Sequence, residues 1–395
     1  MATASGTWGY RDRFDDSFGR TYFRRFGPGV VSSIGAGTYL GEPTDAVDDR
    51  YRAALTAALD AGINLVDTAV NYRCGRSERV VGDALRETDA DREAVVLATK
   101  GGFLPFDGDR PDDPGAYVRE AFLDPGLVDR ADLARGSHCI APGFLDAMLD
   151  RSLESLGVDS VDCYYVHNPE TQLAERDRAA VYDQLEAAFE TLEERRLAGD
   201  IGAYGVATWE AFRVPPAHEA HLDLGAVLAR AEAAAASAGI DDPDDHGLRA
   251  IQLPFNVGMA DAFTVAAHTP RSDDGATGAD DAHGANDGEG VNGGTGNAEA
   301  GGERVSALEF AHREGLSVFA SAALGQGELA SSLPEEIAAE LAGDTTAQRA
   351  VNFARSAPAV TAALVGTTSV EHVRENVAAG TFDPLGASAF DAVFE

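Results

Sequence analysis

Positive charge is scarce in this sequence. Its 395 residues carry 66 acidic side chains against 31 lysines and arginines, a formal net charge of −35 with a pI near 4.4. A surface of that sign repels nucleic-acid phosphates and anionic lipid, so neither is expected as a partner. Cysteine is scarce too. Cys74, Cys139 and Cys163 are too few and too scattered for a disulfide framework or a C-x-x-C metal site, and Cys163, inside an apolar run, reads as packing. No apolar run is long enough for a membrane span, and the first residues lack the apolar core and flanks of a signal peptide. These absences point to a soluble, cytoplasmic protein.

Lysine is the extreme case, with a single one in the chain. Lys100 follows the apolar run Ala94-Val95-Val96-Leu97-Ala98-Thr99 and precedes Gly101-Gly102. A chain that uses arginine everywhere else, yet keeps a lysine at a strand end before a flexible turn, needs a compact cation whose pKa its surroundings can tune. The wider composition, rich in Asp and Glu and nearly free of lysine, resembles that of proteins from extreme halophiles. Salt there screens the self-repulsion, so loosening at low salt is expected.

What is present is a regular alternation. Strand-like runs fall at Val30–Ile34, Asn64–Asp67, Ala94–Thr99, Val161–Val166, Ile201–Val206, Ala250–Leu253, Ser317–Ala320 and Val360–Val365. Amphipathic segments lie between them at Asp45–Ala61, Ser77–Arg86, Gly143–Leu156, Asp177–Ala198, Leu222–Ala236, Val305–Glu314 and Val370–Ala378. Alternation of this kind demands a parallel sheet, and eight strands suggest an α/β protein of the (β/α)8 TIM-barrel class. No G-x-G-x-x-G opens a helix after the first strand, which argues against a Rossmann domain. The stretch Tyr22–Val31 is expected to form a hairpin across the barrel bottom. Residues 1–20 read as a flexible arm ahead of one domain spanning 21–395. Two insertions interrupt that domain: 102–140, and an acidic, glycine-rich run at 269–303 expected to be disordered.

In such a barrel the chemistry sits at the carboxyl ends of the strands. Asp67 ends the second, with Tyr72 in the following loop; Lys100 ends the third; His167 ends the fourth, followed by Asn168-Pro169-Glu170. Singly, Asp67 reads equally as a helix cap, Tyr72 as a packing aromatic and His167 as a core histidine. Together they suit proton transfer to a carbonyl oxygen. A free tyrosine titrates near ~10, and an ammonium beside it is expected to lower that value. Asp67 would keep Lys100 charged in a partly desolvated pocket, and His167 would orient the substrate oxygen. No H-x-H or comparable ligand cluster appears at the strand ends, so a metal hydrolase is disfavoured.

The chain resembles the aldo-keto reductase superfamily over most of residues 20–380. The likeness rests on Val31-Ser32-Ser33-Ile34-Gly35-Ala36-Gly37-Thr38, on Asp67-Thr68-Ala69 to Tyr72 with Gly75-Arg76-Ser77-Glu78 and Gly82, and on Tyr164-Tyr165-Val166-His167. It continues in Gly199-Asp200-Ile201-Gly202, Gly205-Val206, and Val365-Gly366-Thr367-Thr368-Ser369 with Glu371-His372 and Glu375-Asn376. The resemblance implies Tyr72 as acid and base, Lys100 and Asp67 as its tuning pair, and His167 as the substrate-orienting group. It implies NADP(H), less often NAD(H), lying across the mouth, a carbonyl or alcohol as the small-molecule substrate, and direct hydride transfer without a metal. The cofactor residues it implies are Thr38, Thr208, Gln252 (facing the nicotinamide amide), Ser321, Leu324, Gly325, Gly327, Gly366, Thr367, Thr368, His372, Glu375 and Asn376.

Three positions depart from the family pattern. Ala207-Thr208 stands where Ser-Asn often holds the carboxamide, Ser321 where a tyrosine often stacks on the nicotinamide, and Gly366 and His372 where a cation pair often grips the 2′-phosphate. His372 and Arg374 are the remaining sources of positive charge there. The 102–140 insertion, with Phe103, Phe106, Tyr117, Phe122, His138 and Cys139, is expected over the barrel mouth, and Trp209 and Phe212 are candidates for an aromatic wall. Two other readings remain open: a Schiff-base aldolase using Lys100, and a non-catalytic nucleotide-binding sensor or partner subunit.

Overall fold

Eight parallel strands close into a barrel in a computed structural model that describes residues 1–14, 16–271 and 303–394. A two-stranded antiparallel hairpin, β1 (Phe23–Phe26) and β2 (Gly29–Ser32), precedes it. The barrel strands are β3 (Ile34–Gly37), β4 (Leu65–Asp67), β5 (Val96–Gly101), β6 (Val161–His167), β7 (Ile201–Ala207), β8 (Leu248–Pro254), β9 (Ser317–Ser321) and β10 (Val360–Gly366). They pair in chain order, and β10 closes the ring by pairing in parallel with both β9 and β3.

The period of two along each strand divides the core into two layers. Leu65, Val96, Ala98, Cys163, Tyr165, Ala207, Ala250, Phe319, Ala362 and Leu364 meet inside the barrel. Their odd neighbours, such as Leu97, Tyr164, Val166 and Ile251, pack outward under the helices. The hairpin plugs the bottom, with Val31 buried in the inner layer and the Phe26 ring edge-on to Phe319 at 5.3 Å.

Seven strands and seven helices fall within two residues of the expected boundaries. The first strand does not. The apolar run Val30–Ile34 is shared between two elements: β2 takes Gly29–Ser32 and the barrel strand β3 begins at Ile34. Ser33, whose N–H donates to Tyr22 O, is the joint between the hairpin and the barrel. Residues 1–20, expected as a loose arm, instead contain a helix over Ala4–Asp12 capped by the Thr3 side chain. It docks because Tyr10 is buried, donating to Leu59 O, while Thr3 N donates to Glu93 O at 2.9 Å.

A helix over Thr346–Ser356, before β10, is absent from the sequence reading. It buries Ala347, Ala350, Val351, Phe353 and Ala354, but Gln348, Asn352 and Arg355 are buried among them and interrupt the apolar pattern. Arg355 is 1% exposed and donates to Ser33 Oγ, Asn352 Oδ1 and two main-chain carbonyls. Most of the 269–303 run lies outside the described residues; the chain on either side is tied by His268 and Val305, which pair as an antiparallel bridge.

Candidate active site

The strand period places the site. Lys100 follows Val96 and Ala98 in the inward series, Asp67 follows Leu65, His167 follows Cys163 and Tyr165, Gln252 follows Ala250, and Ser321 follows Phe319. Each is therefore the uppermost inward side chain of its strand or close to it. Lys100 is fully buried, and its Nζ donates to Asp67 Oδ2 at 2.6 Å and to Thr68 O at 2.9 Å. The second Asp67 oxygen accepts from Gln252 Nε2 at 2.8 Å. Both oxygens of a buried carboxylate are thus occupied, which is how such a charge is tolerated.

Tyr72 arrives from a loop rather than a strand. It opens a tight turn in which Arg73, Cys74 and Gly75 are all left-handed, at φ 49°, 58° and 80°. Two non-glycine residues held that way cost on the order of 1–2 kcal/mol each. The Arg73 guanidinium offsets this by pairing with Asp48, donating to Glu42 O and lying 5.1 Å from the Tyr51 ring centroid. The turn brings the Tyr72 ring centroid to 4.9 Å from Lys100 Nζ and 5.9 Å from the His167 ring.

Burial pulls the Lys100 ammonium down, but Asp67 and Tyr72 outweigh it and hold the group above its ordinary value. Tyr72 departs from expectation. Burial raises its phenol above the ordinary value, and Lys100 offsets only part of that rise. His167 is held well below the histidine range by burial, then by Lys100 and His138, so its imidazole is neutral. Its Nδ1 is buried without a partner.

These side chains wall a cavity of about 410 Å³. Asp67, Tyr72 and His167 line it, as do Thr38, Thr208, Gln252, Ser321, Leu324, Gly327 and Gly366. Lys100 lies beneath the wall. Thr367, Thr368, His372, Glu375, Asn376 and Gly325 lie outside that wall. Thr367 and Asn376 face each other, Asn376 Nδ2 donating to Thr367 Oγ1 at 2.9 Å, and Glu375 Oε1 accepts from Thr345 Oγ1 at 2.5 Å. His372 sits in the first turn of the helix Val370–Ala379, its N–H bonded to Ser369 Oγ. Away from the mouth, His221, Asp223 and His268 gather closely enough to hold a metal ion. Their atoms are already engaged: His268 Nδ1 accepts from Leu224 N, and Asp223 accepts from the N–H groups of Gly225, Ala226 and Thr269. That cluster caps the helix Leu224–Ser237.

Residues 33–395 match the aldo/keto reductase family model. The chain belongs to the aldo/keto reductase family. Its relatives include the D-threo-aldose 1-dehydrogenase of a Pseudomonas species, 35% identical over 186 residues, 46% of this chain and 51% of that protein. Another is the 6-dehydroglucose reductase of Novosphingobium aromaticivorans, 34% identical over 133 residues, 32% of this chain and 34% of that protein. The chain thus spans about half or less of the length of these relatives. Among solved structures, the holo form of an aldo-keto reductase from Bacillus halodurans superposes with a TM-score of 0.58 at 19% identity, covering 94% of this chain and 95% of that one. An aldo/keto reductase from Klebsiella pneumoniae in complex with NADP and acetate gives 0.54 at 19% identity over 94% of both chains.

The residues of this aldo/keto reductase fit a nicotinamide group. Thr208 Oγ1 is buried in the cavity wall with no partner, a free donor and acceptor where the carboxamide would be held. Gly366, at the rim, has nothing within 4 Å of where a Cβ would stand, so the rim is open there. Gln252, expected to face the nicotinamide amide, lines the cavity and also donates its Nε2 to Asp67 Oδ1. The contact with Asp67 was missed because nothing local to Gln252 points to a residue so far away in the chain. Tyr39, 57% exposed and packed edge-on against Tyr72 at 5.0 Å, was missed because the first strand was placed too early.

Proposed function

We propose that this aldo/keto reductase is an oxidoreductase that interconverts a carbonyl and an alcohol with NADP(H), and less well with NAD(H). The observation that carries the reading is the buried Lys100–Asp67 pair beneath Tyr72, with a neutral His167 facing the same cavity. The nicotinamide, when bound, supplies the hydride for the carbonyl carbon. Tyr72 donates its phenolic proton to the carbonyl oxygen in reduction and accepts one in oxidation. Lys100 stabilises the phenolate left behind, and Asp67 keeps that fully buried ammonium charged. His167, neutral, orients the oxygen as a hydrogen-bond partner and does not compete for the proton. Thr208, Ser321, Leu324, Gly327, Gly366 and Thr38 would hold the cofactor along the mouth. NADP in the Klebsiella neighbour supports preference for the phosphorylated cofactor.

The substrate is a neutral aldehyde, ketone or sugar-like alcohol. Among the described residues lining the cavity, Asp67 alone is acidic, none is a lysine or arginine, His167 is held neutral, and Lys100 neutralises Asp67 from below. The two relatives, a D-threo-aldose 1-dehydrogenase and a 6-dehydroglucose reductase, support the same class. An aldolase fits less well, because Lys100 is 0% exposed and held charged, whereas Schiff-base chemistry needs an accessible free amine.

The test is a fluorescence titration with NADPH and then NADH in multimolar KCl, followed by a carbonyl screen with Tyr72→Phe as control. Saturable binding with turnover that falls at least ~100-fold in the variant, nucleotide affinity unchanged, supports the reading. No nucleotide binding by folded protein, or full turnover by Tyr72→Phe, refutes it. Binding and an unchanged cellular role without any turnover would select the sensor.

A further inference from the structure

The 102–140 insertion reaches the site with Phe103, which lines the cavity, and behind it with a histidine that the reaction itself does not use. His138 is fully buried, and its Nε2 lies 2.7 Å from the main-chain oxygen of His167. Its Nδ1 lies 2.9 Å from Gln172 Nε2. Gln172 Oε1 in turn accepts from Arg176 Nη1 at 2.7 Å, and Arg176 pairs with Asp132 of the insertion at 3.0 Å. An unbroken chain therefore runs from a surface ion pair to the residue that orients the substrate.

The direction of every bond in that chain follows from its outer end. A guanidinium can only donate, so Arg176 fixes the carbonyl end of the Gln172 amide towards itself. The amide nitrogen must then face His138, and because it donates, His138 Nδ1 must be bare. The proton of the neutral ring is left on Nε2, where it donates to His167 O. Burial pushes His138 down to about 4, so this arrangement persists across the neutral range. Phe103 fills the angle between the rings, edge-on to His138 at 4.8 Å and to His167 at 5.1 Å, while itself lining the cavity. Gly102 is the space that makes this possible. At φ 152° a Cβ there would stand 2.5 Å from His167 O and 3.2 Å from His138 Nε2, inside the bond itself.

We infer that His138 is a positioning residue for His167, held in one tautomer by Gln172 and Arg176, and that seating it is the function of the insertion. The inference rests on the proposed role of His167 in orienting the carbonyl. Main-chain oxygen and imidazole belong to the same residue; the peptide that follows is held on one edge by β7, Asn168 N–H donating to Ala207 O at 2.6 Å, and on its carbonyl edge by His138, where the chain turns left-handed at Asn168, φ 50°.

The experiment is a double-mutant cycle with His138→Phe and His167→Ala, alongside His138→Gln, whose amide can restore the donor. His138→Phe is expected to lower kcat/KM for a carbonyl about 10- to 100-fold with the carbonyl KM raised. Cofactor affinity should stay within error, and His138→Gln should recover most of the loss. In the cycle the two effects should be strongly non-additive, because His138 acts through His167. Should His138→Phe fold poorly, Arg176→Met frees the Gln172 amide from the surface and must shift the same KM in the same direction. Additive effects, or no loss in His138→Phe while His167→Ala is impaired, would overturn the inference alone. Full turnover by His167→Ala would instead remove the proposed role of His167, and the inference with it.

Discussion

Glu78 offers a quantitative check on the electrostatics behind the site. It lies on the helix Arg76–Glu87, 0% exposed, with Oε1 accepting from Thr99 Oγ1 at 2.6 Å and Oε2 buried without a partner. Thr99 is the outward neighbour of Lys100, so the carboxyl sits directly behind the strand that carries the lysine. Burial pushes its pKa from 4.5 up to about 7. Below 4.5 the group is protonated in both the folded and unfolded chains. As pH rises towards 7, the unfolded chain releases the proton and the native one retains it, so stability is lost. Above 7 the deficit levels off. A shift of that size corresponds to about 3 kcal/mol. Glu78→Gln keeps the acceptor for Thr99 and removes the ionisation. Urea unfolding in multimolar KCl should show the variant gaining about 2–3 kcal/mol over the parent chain between pH 5 and pH 8. A difference that stays constant across that range, or grows towards acid, would refute the assignment of a protonated buried carboxyl.

Three further outcomes follow from the same geometry. Lys100→Met strands the Asp67 charge in the barrel and should cost about 3–5 kcal/mol in urea unfolding, with Asp67→Asn added to it recovering much of the stability but none of the turnover. Gly82→Ala places a Cβ against the Leu156 main chain, so the two helices must separate, and a Tm loss equivalent to about 1–3 kcal/mol is expected with cofactor affinity unchanged. Because His167 is held neutral, kcat/KM should show no protonation limb in the ordinary histidine range near 6.5; a limb there that disappears in His167→Ala would contradict its neutrality.

The sequence by itself determined the alternation and, through it, the faces. A period of two is a property of the chain alone, so once Val96 and Ala98 belong inside a barrel, Lys100 does too, and Asp67 and His167 follow by the same count. The helices with apolar inner faces were legible for the same local reason. Where buried polar side chains break up an apolar face the pattern weakens, and the helix over Thr346–Ser356, in which Gln348, Asn352 and Arg355 are buried beside Ala350, Val351 and Phe353, passed unseen. The hairpin strand and first barrel strand share one apolar run, and only closure of the ring decides where one stops.

Pairings made across the barrel belong to the tertiary structure alone. Gln252 meets Asp67 over a separation of 185 residues, and His138 meets the His167 carbonyl from an insertion whose sequence points to the barrel mouth but not to that contact. The direction of the Tyr72 shift is of the same kind. A lysine nearby argues for a lowered value, yet the net shift depends on how completely the ring is dehydrated, and burial is the larger effect.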